Sequence, residues 1–161
     1  ELGSGNSTVY FARFFKFVSS YESNQKWYKS LGPKLPKNVN YIYANPIRSA
    51  LEDEDIRNYD VILLDVAENR AKLASMISKT SYSGLIFFDN SEWYRKSISI
   101  LSKVGFAEIP FFGIKPIEDW VSCTSVLVKP DNLLNSFATD WTSLPDLAKP
   151  QNDSPWDNEN S

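Results

Sequence analysis

The sequence contains no histidine and a single cysteine, Cys123, among its 161 residues. The missing histidine excludes catalytic triads that use an imidazole base, as well as metal sites that use imidazole ligands. One cysteine excludes an internal disulfide and any zinc site that is built from several thiolates. Any proton transfer must therefore use Asp, Glu, Lys or Tyr side chains, or the chain must act by proximity and orientation alone.

Long apolar runs and excess positive charge are also missing. No run approaches the roughly 20 residues that a membrane span needs, and there is no signal-like leader. The formal net charge of −3 argues against a nucleic-acid surface as the main working face. We therefore expect a cytoplasmic protein without a nucleic-acid or membrane partner. The chain also opens without methionine at Glu1, on the edge of a motif, so we expect it to be a fragment that is incomplete at its N-terminus.

Short β-rich runs alternate with helical patterns over residues 1–130. This alternation predicts a Rossmann-like α/β domain with a doubly wound, mostly parallel sheet. Glu1 and Leu2 are interpreted as the end of a truncated first strand. The other predicted strands are 17–21, 39–43, 61–65 and 85–89, followed by 106–112 and 122–129 as an antiparallel hairpin. Residues 131–161 are rich in Pro, Asp, Asn and Ser without a sustained period, which predicts a flexible C-terminal tail.

A glycine loop stands between the truncated strand and a helix predicted for residues 8–15. We expect Ser7 to cap that helix and its three phenylalanines to form a buried stripe. Gly3 and Gly5 allow a tight turn and a close approach to a ligand at the start of the helix. Glu22 ends the next strand, where a carboxylate can accept both hydroxyls of a ribose. This arrangement favours a nucleotide-like ligand, and the alternative is a tight turn with a surface glutamate.

The charge of the loop distinguishes between possible ligands. A dinucleotide loop usually has a third glycine, but Thr8 stands three residues after Gly5. Glu1 would face a pyrophosphate with negative charge, whereas it suits a cationic ligand. S-adenosylmethionine carries both a sulfonium and an ammonium group. It is therefore the favoured ligand, and a nicotinamide cofactor is the alternative.

These residues resemble the class I S-adenosylmethionine-dependent methyltransferases over positions 1–129. The resemblance depends on the segment 1–8, on Glu22 and Asp65, and on the segment 84–90. It implies that the glycine loop, with Asn6 and Ser7, holds the methionine part of the cofactor. Glu22 would bind the ribose, and Asn45 would lie beside the adenine, where the family often has aspartate. Asp65 is the remaining predicted cofactor-binding residue.

Acidic side chains follow two central strands of the predicted sheet. Asp65 and Asp89 stand at the carboxyl ends of these strands, and Asn90 follows Asp89. Such oxygens suit Mg²⁺, which could lower the pKa of a bound hydroxyl. The set resembles the metal site of catechol-type O-methyltransferases, although Glu68 stands where those enzymes place a lysine. The alternative is that these residues cap helices or contact the substrate.

The sequence therefore predicts methyl transfer from S-adenosylmethionine to an oxygen of a small-molecule or glycan-like acceptor. Asp65 and Asp89 are the candidate catalytic residues. Two other functions stay open, an NAD-dependent oxidoreductase and a non-catalytic binding scaffold that keeps the methyltransferase fold.

Overall fold

The structure is a computed structural model that describes residues 1–114 and 119–130. Two short 3₁₀ turns span Gly32–Lys34 and Ile56–Asn58. The tail predicted for 131–161 lies outside the described residues. The helices are α1 (Asn6–Phe11), α2 (Gln25–Leu31), α3 (Ile47–Leu51), α4 (Arg70–Ser78) and α5 (Arg95–Lys103). The strands are β1 (Val18–Glu22), β2 (Val39–Tyr43), β3 (Val61–Leu64), β4 (Leu85–Asp89), β5 (Ala107–Ile114) and β6 (Val121–Val128).

All six predicted strands form within two residues of the expected bounds. Local signals set the ends of the helices between them. Asn24 caps α2 by accepting a hydrogen bond from the Trp27 amide, and Asn69 caps α4 by accepting one from the Lys72 amide. Such caps satisfy amide groups that the first turn of a helix leaves without a partner. The predicted Rossmann-like α/β fold is confirmed.

The first of two compact units comprises residues 1–55 and 64–68. Within it, β1 and β2 pair in parallel, from Val18 opposite Val39 to Glu22 opposite Tyr43. The buried Leu2 forms parallel bridges to both Tyr21 and Leu64. A single bridging residue therefore takes the place of the truncated first strand.

The second unit comprises residues 56–63 together with the described residues from Asn69 onward. Its sheet has the strand order β3-β4-β6-β5. β6 runs antiparallel to both β4 and β5, which confirms the predicted hairpin and antiparallel strand. Because β6 lies between its neighbours, β5 forms the edge of this sheet. The buried core includes Ile86, Phe88, Leu101 and Leu127.

Helix α1 differs from its prediction. It begins after Gly5 rather than at a Ser7 cap, and it ends at Phe11. The side-chain amide of Asn38 donates to the carbonyls of Ala12 and Phe15, which stabilises a turn in place of further helix. The predicted buried phenylalanine stripe is wrong, because Phe14 is 68% exposed beyond the helix end.

None of the five helices in residues 1–114 and 119–130 has the length and the apolar character that a membrane span requires.

Candidate functional site

Gly3 occupies a position that only glycine fits. Its φ is +89°, in the region that side chains rarely adopt. A Cβ atom added there would lie 1.8 Å from the backbone oxygen of Asp65 and 2.6 Å from its carbonyl carbon. The Gly3 amide donates to the Tyr21 carbonyl at 2.9 Å. The loop therefore passes directly against the residue that follows β3.

Gly5 differs from Gly3, because its surroundings leave room for a side chain. Its backbone is extended, and an added Cβ would meet only the Ser7 hydroxyl oxygen, at 3.9 Å. No contact with the part of the chain that the structure describes explains a glycine here. The open space beside Gly5 at the start of α1 instead suits the close approach of a ligand.

Glu1 holds the loop together through its carboxylate. One oxygen accepts a hydrogen bond from the Ser7 hydroxyl at 2.5 Å. The other accepts from the Thr8 hydroxyl at 2.5 Å and from the Ser20 hydroxyl at 2.8 Å. The Thr8 hydroxyl oxygen also accepts from the Gly5 amide at 3.0 Å. Glu1 thus places a negative charge at the loop and links the loop to α1 and β1.

Glu22 ends β1, as predicted, and is buried with 7% of its surface exposed. Its Oε2 accepts hydrogen bonds from the amide of Ser4 at 3.2 Å and from the hydroxyl of Ser4 at 2.5 Å. Its Oε1 accepts from the Asn24 amide at 2.7 Å. The Ser4 hydroxyl oxygen lies 2.8 Å from the hydroxyl oxygen of Tyr41. Sequence reasoning identified Glu22 but missed both Ser4 and Tyr41.

Trp27 closes a ring of hydrogen bonds around the loop. Its indole N–H donates to the Ser4 carbonyl at 2.9 Å, and its backbone amide donates to Asn24 Oδ1 at 3.1 Å. The Asn24 amide donates to Glu22, and Glu22 accepts from Ser4, which completes the ring. The Trp27 side chain is nevertheless 46% exposed. This ring of Ser4, Glu22, Asn24 and Trp27, called the loop ring below, attaches the glycine loop to the start of α2.

Stacked tyrosines border the loop ring. The Tyr28 and Tyr41 rings stack with their centroids 4.5 Å apart, and Tyr43 lies 5.6 Å from Tyr28. Burial raises the pKa of Tyr41, and the carboxylate of Glu22 adds to this effect, whereas the hydrogen bond shared with Ser4 opposes it. Tyr41 therefore acts at neutral pH as a protonated hydroxyl. Because Ser4 gives its single hydroxyl proton to Glu22, Tyr41 is the donor in their contact.

The remaining predicted cofactor residues also lie in the first unit. Asn6 is the exposed first residue of α1, and Asn45 is exposed after β2. Asp65 is exposed directly after β3, and its amide donates to the Leu2 carbonyl at 2.9 Å. Glu68, which stands at the position of the lysine of catechol-type enzymes, accepts from the Ile47 amide at 2.7 Å. Its carboxylate thus supports the start of α3.

Asp89 and Asn90 form a turn at the end of β4 in the second unit. Asp89 Oδ1 accepts from the Thr124 hydroxyl at 2.5 Å, and its carbonyl accepts from the guanidinium of Arg70. Asn90 has a φ of +53°, and its carbonyl accepts from the Trp93 amide at 2.9 Å. Asp89 does not cap a helix, because the residue before α5 is Tyr94.

The magnesium prediction receives no support from the described residues. Across 1–114 and 119–130, no group of three or more carboxylate or cysteine side chains is placed to hold a metal ion. Asp65 belongs to the first unit and Asp89 and Asn90 to the second. One carboxylate oxygen of Asp89 already accepts the hydroxyl of Thr124. Because the donor set does not fit, we derive no step through a metal.

The side chains of Arg70 and Arg95 both contact other residues of the second unit. The guanidinium of Arg70 is buried 4.2 Å from the centre of the Tyr94 ring, which is also buried. Arg95 forms two hydrogen bonds to the carboxylate of Glu108, at 2.9 and 2.8 Å. The Glu108 Oε1 also accepts from the Ser125 hydroxyl at 2.6 Å. These contacts are those of a structural polar network.

Glu92 is a buried carboxyl that sequence reasoning did not single out. Only 3% of its surface is exposed, and its Oε2 accepts from the Cys123 amide at 3.0 Å. Its Oε1 meets no hydrogen-bond donor at bonding distance among the described residues. Burial raises the pKa of Glu92 above its ordinary value of 4.5, and the charge of Asp89 adds to this. The Glu92 and Cys123 amides and the Asn90 side chain oppose the increase.

Glu92→Gln is expected to stabilise the protein increasingly as the pH rises above about 4.5. The folded state holds the Glu92 proton more tightly than the unfolded state does, so the wild-type protein loses stability until the pH passes the raised pKa. Glutamine has no proton to lose. Urea unfolding of both proteins between pH 5 and 8 measures the difference, with the exposed Glu52→Gln as control. A difference that is independent of pH would contradict the raised pKa.

Comparisons with known proteins identify the fold. No family model and no curated protein matches the sequence. Among solved structures, the chain is similar to M. jannaschii TYW2 in complex with AdoMet, with a TM-score of 0.50 and 21% identity. It is also similar to a provisionally assigned methyltransferase from Thermoplasma acidophilum, with a TM-score of 0.53 and 16% identity.

The alignments cover most of this chain but a smaller part of the matched structures. They include 77% and 80% of this chain, and 63% and 66% of the TYW2 and Thermoplasma chains, respectively. At these identities the likeness concerns the fold. The strand order β3-β4-β6-β5 with its antiparallel β6, and the glycine loop that follows Leu2, agree with it. The chain has the fold of the class I S-adenosylmethionine-dependent methyltransferases.

Proposed function

We propose that this chain binds S-adenosylmethionine in its first unit and is part of an enzyme that transfers the sulfonium methyl group. The observation that carries the proposal is the glycine loop held by Glu1 and Glu22. Gly3 passes against Asp65, and the loop ring attaches Ser4 to the carboxylate that ends β1. The TYW2 structure, which has a similar fold, was solved with AdoMet bound.

The proposed contacts follow from the charges and spaces of the loop. The side of Gly5 that no described residue fills gives the methionine part room to approach, next to Asn6 and Ser7. Glu1 supplies the negative charge that favours a ligand with ammonium and sulfonium groups. Glu22 supplies a carboxylate for the ribose. Asn45, exposed after β2, is the proposed neighbour of the adenine, and the exposed Asp65 completes the proposed set.

When bound, S-adenosylmethionine supplies an electrophilic methyl group on sulfur. We propose an oxygen of a small-molecule or glycan-like acceptor as the nucleophile. Asp65, in the same unit as the glycine loop, would orient the hydroxyl of the acceptor and accept its proton as the carbon–oxygen bond forms and the carbon–sulfur bond breaks. With no histidine in the sequence, positioning of the two reactants carries most of the catalytic effect.

Calorimetric titration of the full chain tests the proposal. S-adenosylmethionine and S-adenosylhomocysteine are expected to bind with micromolar or tighter affinity, whereas NADH is expected to bind at least about 100-fold more weakly. Binding of NADH alone would refute the proposal and would favour an oxidoreductase.

Transfer from labelled S-adenosylmethionine separates an enzyme from a binding scaffold. The acceptors are hydroxylated small molecules, oligosaccharides and total RNA, tested with the full-length protein. Transfer to the first two groups is expected. Transfer to RNA alone would refute the proposed acceptor class, and cofactor binding without transfer to any of the three would favour the scaffold.

A further inference from the structure

The carboxylate of Glu22 is already largely occupied by the protein. An ionised carboxylate has about four positions at which its two oxygens can accept hydrogen bonds. Ser4 fills two of them, both on Oε2, through its amide and its hydroxyl. The Asn24 amide fills a third, on Oε1. Among residues 1–114 and 119–130 no further donor occupies this carboxylate, so one acceptor position remains, whereas two neighbouring ribose hydroxyls would need two.

The Ser4 hydroxyl is well fixed in this role. Its oxygen lies 2.5 Å from Glu22 Oε2 and 2.8 Å from the Tyr41 hydroxyl, which donates to it. Accepting a hydrogen bond from Tyr41 polarises the Ser4 hydroxyl and makes it a stronger donor to Glu22. Trp27 holds the carbonyl of the same residue at 2.9 Å. Ser4 is thus restrained at its hydroxyl, its amide and its carbonyl.

We propose that Ser4 is a positioning residue that limits Glu22 to a single ribose hydroxyl. The inference rests on the proposed function, and it narrows how the nucleoside of the cofactor is recognised. Ser4 keeps Oε2, and the one hydroxyl that binds does so at the open position of Oε1. The second hydroxyl gains no hydrogen bond from Glu22.

Deoxy analogues measure each ribose hydroxyl separately. The probes are S-adenosylhomocysteine and its 2′-deoxy and 3′-deoxy forms, titrated into the wild-type chain by calorimetry. One deoxy analogue is expected to bind within about twofold of the parent compound. The other is expected to bind about tenfold or more weakly, because it lacks the hydroxyl that reaches a charged acceptor. Equal weakening of both analogues, or of neither, would overturn the inference.

Ser4→Ala should change this pattern. It frees one position on Oε2, so both deoxy analogues are expected to lose about tenfold relative to the parent. Ser30→Ala is the matched control. It removes an exposed serine hydroxyl from α2, outside the glycine loop, and it should keep the wild-type ratio between the analogues. A wild-type ratio in Ser4→Ala would count against the role of Ser4.

Failure of this inference can be separated from failure of the proposed function. If the parent compound does not bind to the wild-type chain, the proposed function itself is refuted. If it binds and both hydroxyls contribute equally, only the role of Ser4 is refuted. The wild-type comparison needs no substitution, so it stands even if Ser4→Ala does not fold.

Discussion

Gly3→Ala is expected to lower the free energy of unfolding by about 3 kcal/mol or more, since it combines a strained backbone with overpacking. The new methyl group would lie 1.8 Å from the Asp65 oxygen, which belongs to the backbone and cannot rotate away. Relief requires the loop or the segment after β3 to move. That movement would break the hydrogen bond from the Gly3 amide to Tyr21, or that from the Asp65 amide to Leu2. Urea unfolding followed by circular dichroism measures the loss.

Gly5→Ala is the matched control for this prediction. The same methyl group added two residues later meets one side-chain oxygen at 3.9 Å, on an extended backbone. We expect its free energy of unfolding to stay within about 0.5 kcal/mol of the wild type, the usual range for substitutions that disturb no contact. Equal destabilisation by the two substitutions would show that the contact with Asp65 does not determine the requirement for Gly3.

Glu22→Ala is expected to weaken S-adenosylhomocysteine binding by about 100-fold, because it removes a charged ribose acceptor and releases the loop. Ser4 and Asn24 would both lose their common partner. Glu22→Gln should also bind poorly, although it has the same shape. Its NH₂ group must face the donors of either Ser4 or Asn24, so one side of the loop ring is lost.

The exposed Glu52→Gln controls for charge, since it removes the same unit of negative charge from the first unit. Its affinity should stay within about twofold of the wild type. Calorimetry gives the affinities, and thermal unfolding shows whether each variant is folded. Wild-type affinity in Glu22→Ala would contradict the ribose role of Glu22.

The sequence predicted the fold well because its signals are local. The central strands β3 and β4 are short apolar runs, and Asn24 caps α2 within three residues of the amide that it binds. The spacing of Gly3, Gly5 and Glu22 identified the loop for a similar reason. These residues stand at the ends of consecutive elements, where parallel strands and their helices place them together.

What the sequence could not predict depends on contacts between distant residues. Helix α1 stops early because Asn38, more than 20 residues away, binds the carbonyls of Ala12 and Phe15 just beyond its last residue and holds them in a turn. In the sequence, Ser4 has only the character of a polar loop residue between two glycines. Its hydrogen-bond partners Tyr41 and Trp27 belong to later elements of the chain. No periodicity encodes such pairings. Ser4 had one available signal, a short polar side chain between glycines.

Buried polar residues of the second unit were missed for the same reason. Glu92 has the character of a surface glutamate in the sequence. In the structure it is buried, and its carboxylate accepts a hydrogen bond from the amide of Cys123 on β6. Arg70 likewise has the character of a surface cation in the sequence, but it is buried and its guanidinium donates to the carbonyl of Asp89. Whether a side chain is buried depends on which residues of other strands pack against it, and the sequence of one segment does not contain that information.

The loop ring has an optical consequence. Trp27 is partly exposed, and its indole N–H holds the carbonyl of the residue between the two glycines. The emission of an indole responds to the loss or gain of a hydrogen bond and to the water around it. A shift of the glycine loop would therefore change the Trp27 emission directly, through the hydrogen bond to Ser4. Trp27 fluorescence can thus report movement of the loop that is proposed to receive the ligand.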